Sequence, residues 1–494
     1  MPLNWIGGTL ELTSKVRYGL TSRGIPLYRF IPYDRSLSPY AVGSSCRALF
    51  YNIHVIVEPS KTPSKSSLPL GNIVQQLGLP TLASETSILL SAYAYDNQKE
   101  LRNPPEFVNE TPDPIAPRRT LLEGGVTFHI DPIGCLDADD SFTIWEKPDG
   151  FYRIAINIAD VASYVMEDSP IDTYAKAVAT SFYTPDGVAI HPMLPKALSE
   201  DVASLIPNGS MKRTVSLIFD FHPEHGIQDF VWDTTYTNTQ YSYTYEDADY
   251  LEKTTKHLQM LRRVALYLGA SPVSNSHSWV ERLMILYNEQ AGILLSKHSI
   301  GVLRRHSPPS LKKLQAIMDL IGLPPFLAYN SAEYCLPTDE NTMHHGLSIG
   351  TYAYASSPLR RYADLLNQRA IHSILQSTGS KKPVERLLLD DLNRRQKQAK
   401  AFQRDLFFVT RIYERKKDVY IEGIVLYTEY DTKKNIYKTK VWVPDWNRYI
   451  TAKALEKYSE FVPGTHVSIQ WFEDVECSNW KERIIFQLHC ISSS

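Results

Sequence analysis

Along this chain, stretches whose apolar positions recur every second residue alternate with stretches whose period is three or four, so short strands and long helices are both expected. Residues 1 to about 110 carry β-like runs at 15–18, 26–30 and 53–57, separated by Pro and Gly, while 59–67 is loop by composition. Short strands with frequent turns predict a small barrel there. The Pro-rich stretch 104–117 reads as a linker. Beyond it the pattern is mixed: 154–159 reads as a buried strand, 281–291 as a helix and 384–415 as a long, charge-laced helix. The β pattern returns at 419–427, 437–443 and 467–472 and predicts a second small barrel. The fold class expected is α+β multidomain, with a barrel region over 1–110, a mixed α/β domain over 111–415 and a second barrel over 416–494.

A length of 494 residues is consistent with roughly three domains. The 52 basic and 54 acidic side chains nearly cancel, which excludes a nonspecific polycation and confines any nucleic-acid site to a local groove. Thirty Tyr against 17 Phe raises the expectation of flat, polar-tipped stacking surfaces. Cys46, Cys135, Cys335, Cys477 and Cys490 are scattered and show neither zinc spacing nor a disulfide framework, which suits a reducing compartment. There is no basic-then-apolar leader, and no apolar run reaches the roughly 18 residues of a membrane span. A soluble intracellular protein is expected, cytoplasmic sooner than nuclear, with no membrane partner.

Four aspartates crowd one short segment: Asp131, Asp137, Asp139 and Asp140. Such like charge repels itself unless a cation sits among the carboxylates, and hard oxygen ligands suit Mg²⁺ or Mn²⁺ rather than zinc. Divalent ions so held activate water and stabilise the leaving oxygen of a phosphodiester. A solvated acidic turn is the bland alternative. A calcium loop fits poorly, because an EF-hand counted from Asp137 would place Phe142 where Gly is needed and Pro148 where the closing Glu belongs. Far downstream lies His344-His345-Gly346-Leu347, then Tyr352, then Ser357-Pro358-Leu359-Arg360-Arg361-Tyr362-Ala363-Asp364. Arginines aimed at a carboxylate centre serve phosphoryl chemistry, although Ser-Pro followed by Arg-Arg also starts an ordinary helix.

Together these constellations resemble the RNase II/RNase R family, whose catalytic domain is RNB. The family's D-x5-D-x-D-D falls on Asp131, Asp137, Asp139 and Asp140, and its Ser-Pro-x-Arg-(Arg/Lys)-Tyr-x-Asp element on Ser357 to Asp364. Between them, 181–187 and 192–199 are similar to its Tyr-x-Pro and Met-Leu-Pro-x-x-Leu-Ser segments, and order and spacing hold over nearly 300 residues. The barrels then correspond to a cold-shock-like module and a closing OB-type module.

The resemblance implies a 3′-to-5′ exoribonuclease that degrades single-stranded RNA to nucleoside 5′-monophosphates with water as nucleophile. Asp131, Asp137 and Asp140 would hold Mg²⁺, with Mn²⁺ an alternative. Asp139 would position the terminal ribose and the attacking water, and Arg360 would bind the scissile phosphate. Tyr183, Tyr245 and Arg361 would contact the RNA. His344 and His345 are expected to be structural, since carboxylates already furnish the site, and Cys135, Ser356 and Ser357 have no nucleophilic task.

One departure stands out: Gln403 occupies the place where the family usually has Glu before an Arg-Asp pair, here Arg404-Asp405. The chain ends without the lysine-rich tail of duplex-degrading relatives, so weak activity on structured RNA is expected. In the last barrel, Tyr420, Tyr427, Tyr430, Trp442, Trp446, Tyr449 and Trp471, interleaved with lysines, fit a single-strand groove, with about half of them needed for packing. The rival reading is an RNB-fold scaffold without catalysis. Retention of all four aspartates and Arg360 weighs against it, because mutual repulsion makes such carboxylates a liability without metal.

Overall fold

The structure, a computed structural model, describes residues 4–490 except 47–48, 63–65, 109–112, 116–117, 121–123, 310–314, 316–329, 377–382, 415–419, 455–460, 475–476 and 478–479. The described chain falls into two compact units. One joins Met1–Arg102, Pro309–Tyr329 and Gln398–Ser494, and the other joins Asn103–Pro308 to Asn330–Lys397. No helix among the described residues is long and apolar enough to cross a membrane.

In the first unit, strands Ile6–Leu10, Leu27–Pro32, Tyr40–Gly43, Leu70–Gly78 and Ile53–Pro59 hydrogen-bond in that order and close into a barrel. Leu10, Phe30, Val42, Val55 and Val57 fill it. Gly8 has no room for a Cβ, which would strike the Ile31 carbonyl and the Phe30 ring, so two strands cross closely there. The β-like run at 15–18 is not a strand. Val16 is 57% exposed and its carbonyl accepts from Arg17 at 3.0 Å, so the run lies on the surface, joined to the barrel by the Tyr18 amide donating to the Leu27 carbonyl (2.9 Å).

Strands Arg448–Ala454, Ile436–Val443, Ile421–Asp431, His466–Glu473 and Ile484–Cys490 make the second five-stranded sheet of this unit. Taken in chain order, its strands follow the same cyclic sequence as the barrel, opened between the third and the fifth. Burial sorts the aromatics here. Trp442, Trp446 and Trp471 are core, whereas Tyr420, Tyr427, Tyr430 and Tyr449 stand on the surface. The chain's two ends are locked together by buried charge: Arg483 pairs with Glu85, and Asp405 accepts from Tyr33 (3.0 Å), Tyr93 (2.9 Å) and Arg448 (2.8 Å).

The second unit is built on a seven-stranded sheet in the order Tyr241–Thr244, Val126–Asp131, Asp140–Glu146, Tyr152–Ala159, Lys212–His222, Gly226–Thr237, Arg119–Thr120. Period-two alternation gives it one apolar face, where Phe128, Phe142, Ile156 and Leu217 are buried with residues of helices Lys256–Tyr267 and Ser276–His298. Each such side chain contributes on the order of 1.5–3 kcal/mol by leaving water.

The opposite face is equally buried but polar, and its groups satisfy one another across the strands. Thr127 meets Thr143 (2.9 Å), Asn157 donates to Thr143 (2.9 Å), and Ser216 donates to Asn157 (2.7 Å) and bonds Thr235 (2.7 Å). In the helix Ser276–His298, a Cβ at Gly292 would lie 2.7 Å from the Thr351 carbonyl oxygen. Glycine therefore lets the chain that leads to Ser357 run directly over the helix.

Candidate active site

The carboxylates gather because of where two neighbouring strands begin and end. Asp131 closes the strand Val126–Asp131 and Asp140 opens Asp140–Glu146, with Asp137 and Asp139 in the connecting loop. That loop is pinned from both sides. The Ala138 amide donates to Ser204 Oγ (3.1 Å), the Ala138 carbonyl accepts from Leu205 (3.0 Å), and the Asp139 carbonyl accepts from Ala159 (2.9 Å).

The downstream constellation reaches the same place through a strap. Ala179, at positive φ after helix Pro170–Val178, turns the chain so that 179–181 runs against 360–362. Tyr362 donates to the Ala179 carbonyl (2.9 Å), and Ser181 donates to the Arg360 carbonyl (2.9 Å). Asp364, fully buried, accepts from the Ser357 amide (2.8 Å) and from both arms of Arg361 (2.9 and 2.8 Å), which fixes the turn that carries Leu359 and Arg360. Arg361, expected to touch substrate, is thus already engaged, and its guanidinium also lies 4.0 Å from the Tyr354 ring centroid.

The four carboxylates are not used alike. Asp139 has both oxygens occupied, Oδ1 by the Leu359 amide (2.9 Å) and Oδ2 by Arg360 Nε (2.8 Å). Asp137 Oδ2 accepts from the Tyr183 hydroxyl (2.6 Å), and its Oδ1 meets only the Cys135 thiol at 3.9 Å. Asp131 Oδ2 lies 2.8 Å from His129 Nδ1. Asp140 Oδ2 is buried with no hydrogen-bond partner. Three carboxylates thus keep an oxygen without an N–H or O–H partner, whereas Asp139 has one partner on each oxygen and is fixed in place. The donor set is all hard oxygen with one arginine for four acids, a ligand chemistry that suits a hard divalent cation.

Electrostatics follow the same division. Burial pushes the Asp139 carboxyl up to about 7, against the opposing pull of Arg360. Burial and the charges of Asp131 and Asp139 raise Asp140 well above the carboxylate range. Burial, then Asp137, raises the Tyr183 phenol, so it stays a donor. The Arg360 side chain is 45% exposed, which leaves an outer edge open beyond its bonds to Asp139 and to Ser357 Oγ (3.1 Å).

Tyr245 follows the edge strand Tyr241–Thr244, in which Thr244 pairs with Asp131, and its helix is capped by Thr244. Burial and the nearby Asp140 and Asp131 raise its phenol. Seven of the eight expected site residues therefore converge, and Arg361 pairs with Asp364 in the turn that carries Arg360.

His344 is buried against His306 and Tyr352 (ring centroids 5.1 and 5.3 Å), a packing role. Ser356 accepts from Asn288 (3.0 Å) and is structural. Gln403 is exposed on the helix Arg386–Tyr413. Sequence reasoning missed Ser204 and the 179–181 strap, whose contacts depend on chain pairings far apart in sequence, and it missed His129, whose partner Asp131 is two residues away. The lone signal was a histidine two places before Asp131, on the same strand face.

The RNB domain profile matches residues 119–270 and 249–377, about half of the chain. Ribonuclease R of Aquifex aeolicus is 25% identical over 410 residues, covering 67% of this chain and 57% of that protein. The chain thus spans little more than half the length of this curated relative. Among solved structures, Mycoplasma genitalium RNase R in complex with ribose methylated single-stranded RNA superposes with a TM-score of 0.76 at 16% identity, over 98% of this chain and 90% of that one. Yeast Ssd1, a pseudonuclease, superposes with a TM-score of 0.65 at 16% identity, over 99% of this chain and 68% of that one.

Proposed function

The chain belongs to the RNB domain family, and on that premise we propose that it hydrolyses single-stranded RNA from the 3′ end to nucleoside 5′-monophosphates. The observation that carries this reading is the unequal use of the four aspartates. Asp139 is fixed by Leu359 and Arg360, while Asp131, Asp137 and Asp140 keep unspent oxygens beside it. A purely structural cluster would have satisfied all four.

In the reaction, water oxygen bonds to phosphorus as the P–O3′ bond breaks. The water gives up a proton, the departing O3′ takes one, and the terminal nucleotide leaves as its 5′-monophosphate. Asp131, Asp137 and Asp140 would hold Mg²⁺ or Mn²⁺, which would supply Lewis-acid polarisation and activation of water. Asp139, rigid and beside Arg360, orients the water and the terminal ribose. The open edge of Arg360 binds the scissile phosphate and stabilises the charge that builds on its oxygens. Tyr183, steadied through its hydroxyl by Asp137, offers its ring to the terminal base, and Tyr245 offers a second wall. Arg361 acts behind the substrate by holding Asp364.

The test is Mg²⁺-dependent degradation of a 5′-labelled single-stranded RNA beside matched DNA and Asp139→Asn. A 3′-to-5′ ladder seen only with wild type and RNA supports the reading. RNA binding by folded protein without cleavage, under Mg²⁺ or Mn²⁺, assigns a binding role instead.

A further inference from the structure

His129 shares a strand face with Asp131, two residues away, and is 3% exposed. Its Nδ1 lies 2.8 Å from Asp131 Oδ2, while its Nε2 is buried with no hydrogen-bond partner. These two facts assign the imidazole proton. With the proton on Nδ1, the short contact is an N–H donating to a carboxylate, and the cost elsewhere is one idle lone pair. With the proton on Nε2, two lone pairs would face each other at 2.8 Å and an N–H would be buried without an acceptor. Nδ1 therefore donates to Oδ2, which leaves Oδ1 of Asp131 as the oxygen open to a cation. Tyr183 does the same for Asp137 from the other side of the cluster, through a hydroxyl at 2.6 Å.

We propose that His129 is a positioning residue that aims Asp131 at the divalent cation by holding Oδ2, so that cation affinity depends on an N–H at the Nδ1 position of residue 129. This rests on the reading of Asp131 as a cation ligand. Partners that orient a ligand in this way typically change metal affinity or activity by about 10- to 100-fold when lost. A histidine serving only to fill space would leave affinity indifferent to which of its ring nitrogens is replaced.

The side-chain amide tests this directly. The amide nitrogen of Asn is bonded to Cγ, as Nδ1 is, whereas that of Gln lies one bond further out, near Nε2. The full chain and its His129→Asn, His129→Gln and His129→Leu variants would be titrated with Mn²⁺ alone, free Mn²⁺ being read by electron paramagnetic resonance. Thermal melts would check folding. His129→Asn should bind within about threefold of wild type, and His129→Gln and His129→Leu about tenfold or more weakly. Should His129→Leu not fold, the Asn–Gln pair carries the test.

Equal affinity across the set, Asn as weak as Gln, or no Mn²⁺ binding by wild type overturns the inference. Because RNA is absent from this measurement, a wild type that binds Mn²⁺ with the Asn–Gln split yet degrades no RNA supports the positioning role while the nuclease reading fails.

Discussion

Two clusters of buried charge occur in the same compact unit and resolve their charge in opposite ways. In one, Arg118 sits between two acids, pairing with Asp113 and with Asp160 (2.6 Å), and His372 adds a contact to Asp160 at 3.1 Å. Tyr236 donates to Asp113 (2.7 Å) and the Ser163 amide to Asp160 (3.2 Å). Burial alone would raise both acids, yet His372 and Arg118 hold Asp160 below the usual carboxylate range, and Arg118 and Tyr236 bring Asp113 down to about 2. In the other cluster, four acids share one arginine, and Asp139 and Asp140 go up rather than down. The two clusters differ in their count of cationic partners. The first cluster balances its two acids with cationic partners from its own chain. The second has no such balance within the chain, and on the function proposed above a cation from outside would complete it, the mark of a site rather than of a strut.

The sharpest way to break this comparison is to neutralise one acid in each cluster. Asp139→Asn should cut RNA turnover by about a thousandfold, because it removes the acceptor that fixes Arg360 and the water, while the protein stays folded. Retained turnover would show that the second cluster is not catalytic. Asp160→Asn should do the converse. It leaves Arg118 buried with half its compensation and should cost about 3–5 kcal/mol in urea unfolding, with Mn²⁺ affinity of the folded protein unchanged. A smaller, oppositely signed effect is expected for Asp140→Asn. Without divalent ions it removes repulsion and should raise stability by about 1 kcal/mol, and the stabilisation that wild type gains from Mn²⁺ should be lost. If chelation leaves the wild-type melt unmoved and Asp140→Asn destabilises, the second cluster is a strut after all.

Legibility in the sequence divides along a related line. Asp131 to Asp140 and Ser357 to Asp364 are readable because their chemistry is local, with charge type and spacing written in consecutive residues. The strand at 154–159 and the helix around 281–291 are readable because burial imposes its period: Ile154, Ile156 and Ile158 are fully buried, and the helix extends to Ser276–His298. The roles of His129, Arg361 and Asp160 are not readable. Each is decided by a partner's position: Asp131 across one strand pleat, Asp364 across a turn, Arg118 across the sheet. Arg360 and Arg361 make the point most economically. Adjacent and chemically identical, one pairs with Asp139 and the other with Asp364, and the turn held by Asp364 together with the strap at 179–181 decides which.

The smallest effect is the share of the acid pH dependence that the balanced cluster contributes. Asp113 carries a folded pKa of about 2 against an ordinary value of 3.8. Its stabilisation is present in full above the ordinary value. As pH falls through that value, the unfolded chain takes up a proton that the fold refuses, and the contribution is lost as pH falls towards the folded pKa. Asp160, lowered in the same direction, adds to the slope. Metal-free unfolding free energies measured between about pH 5 and pH 2 should decline more steeply for wild type than for Asp113→Asn, which has no carboxyl left to protonate. Parallel slopes would mean that Asp113 gains nothing from Arg118 and Tyr236, and the contrast between a self-satisfied and a cation-seeking cluster would then rest on Asp160 alone.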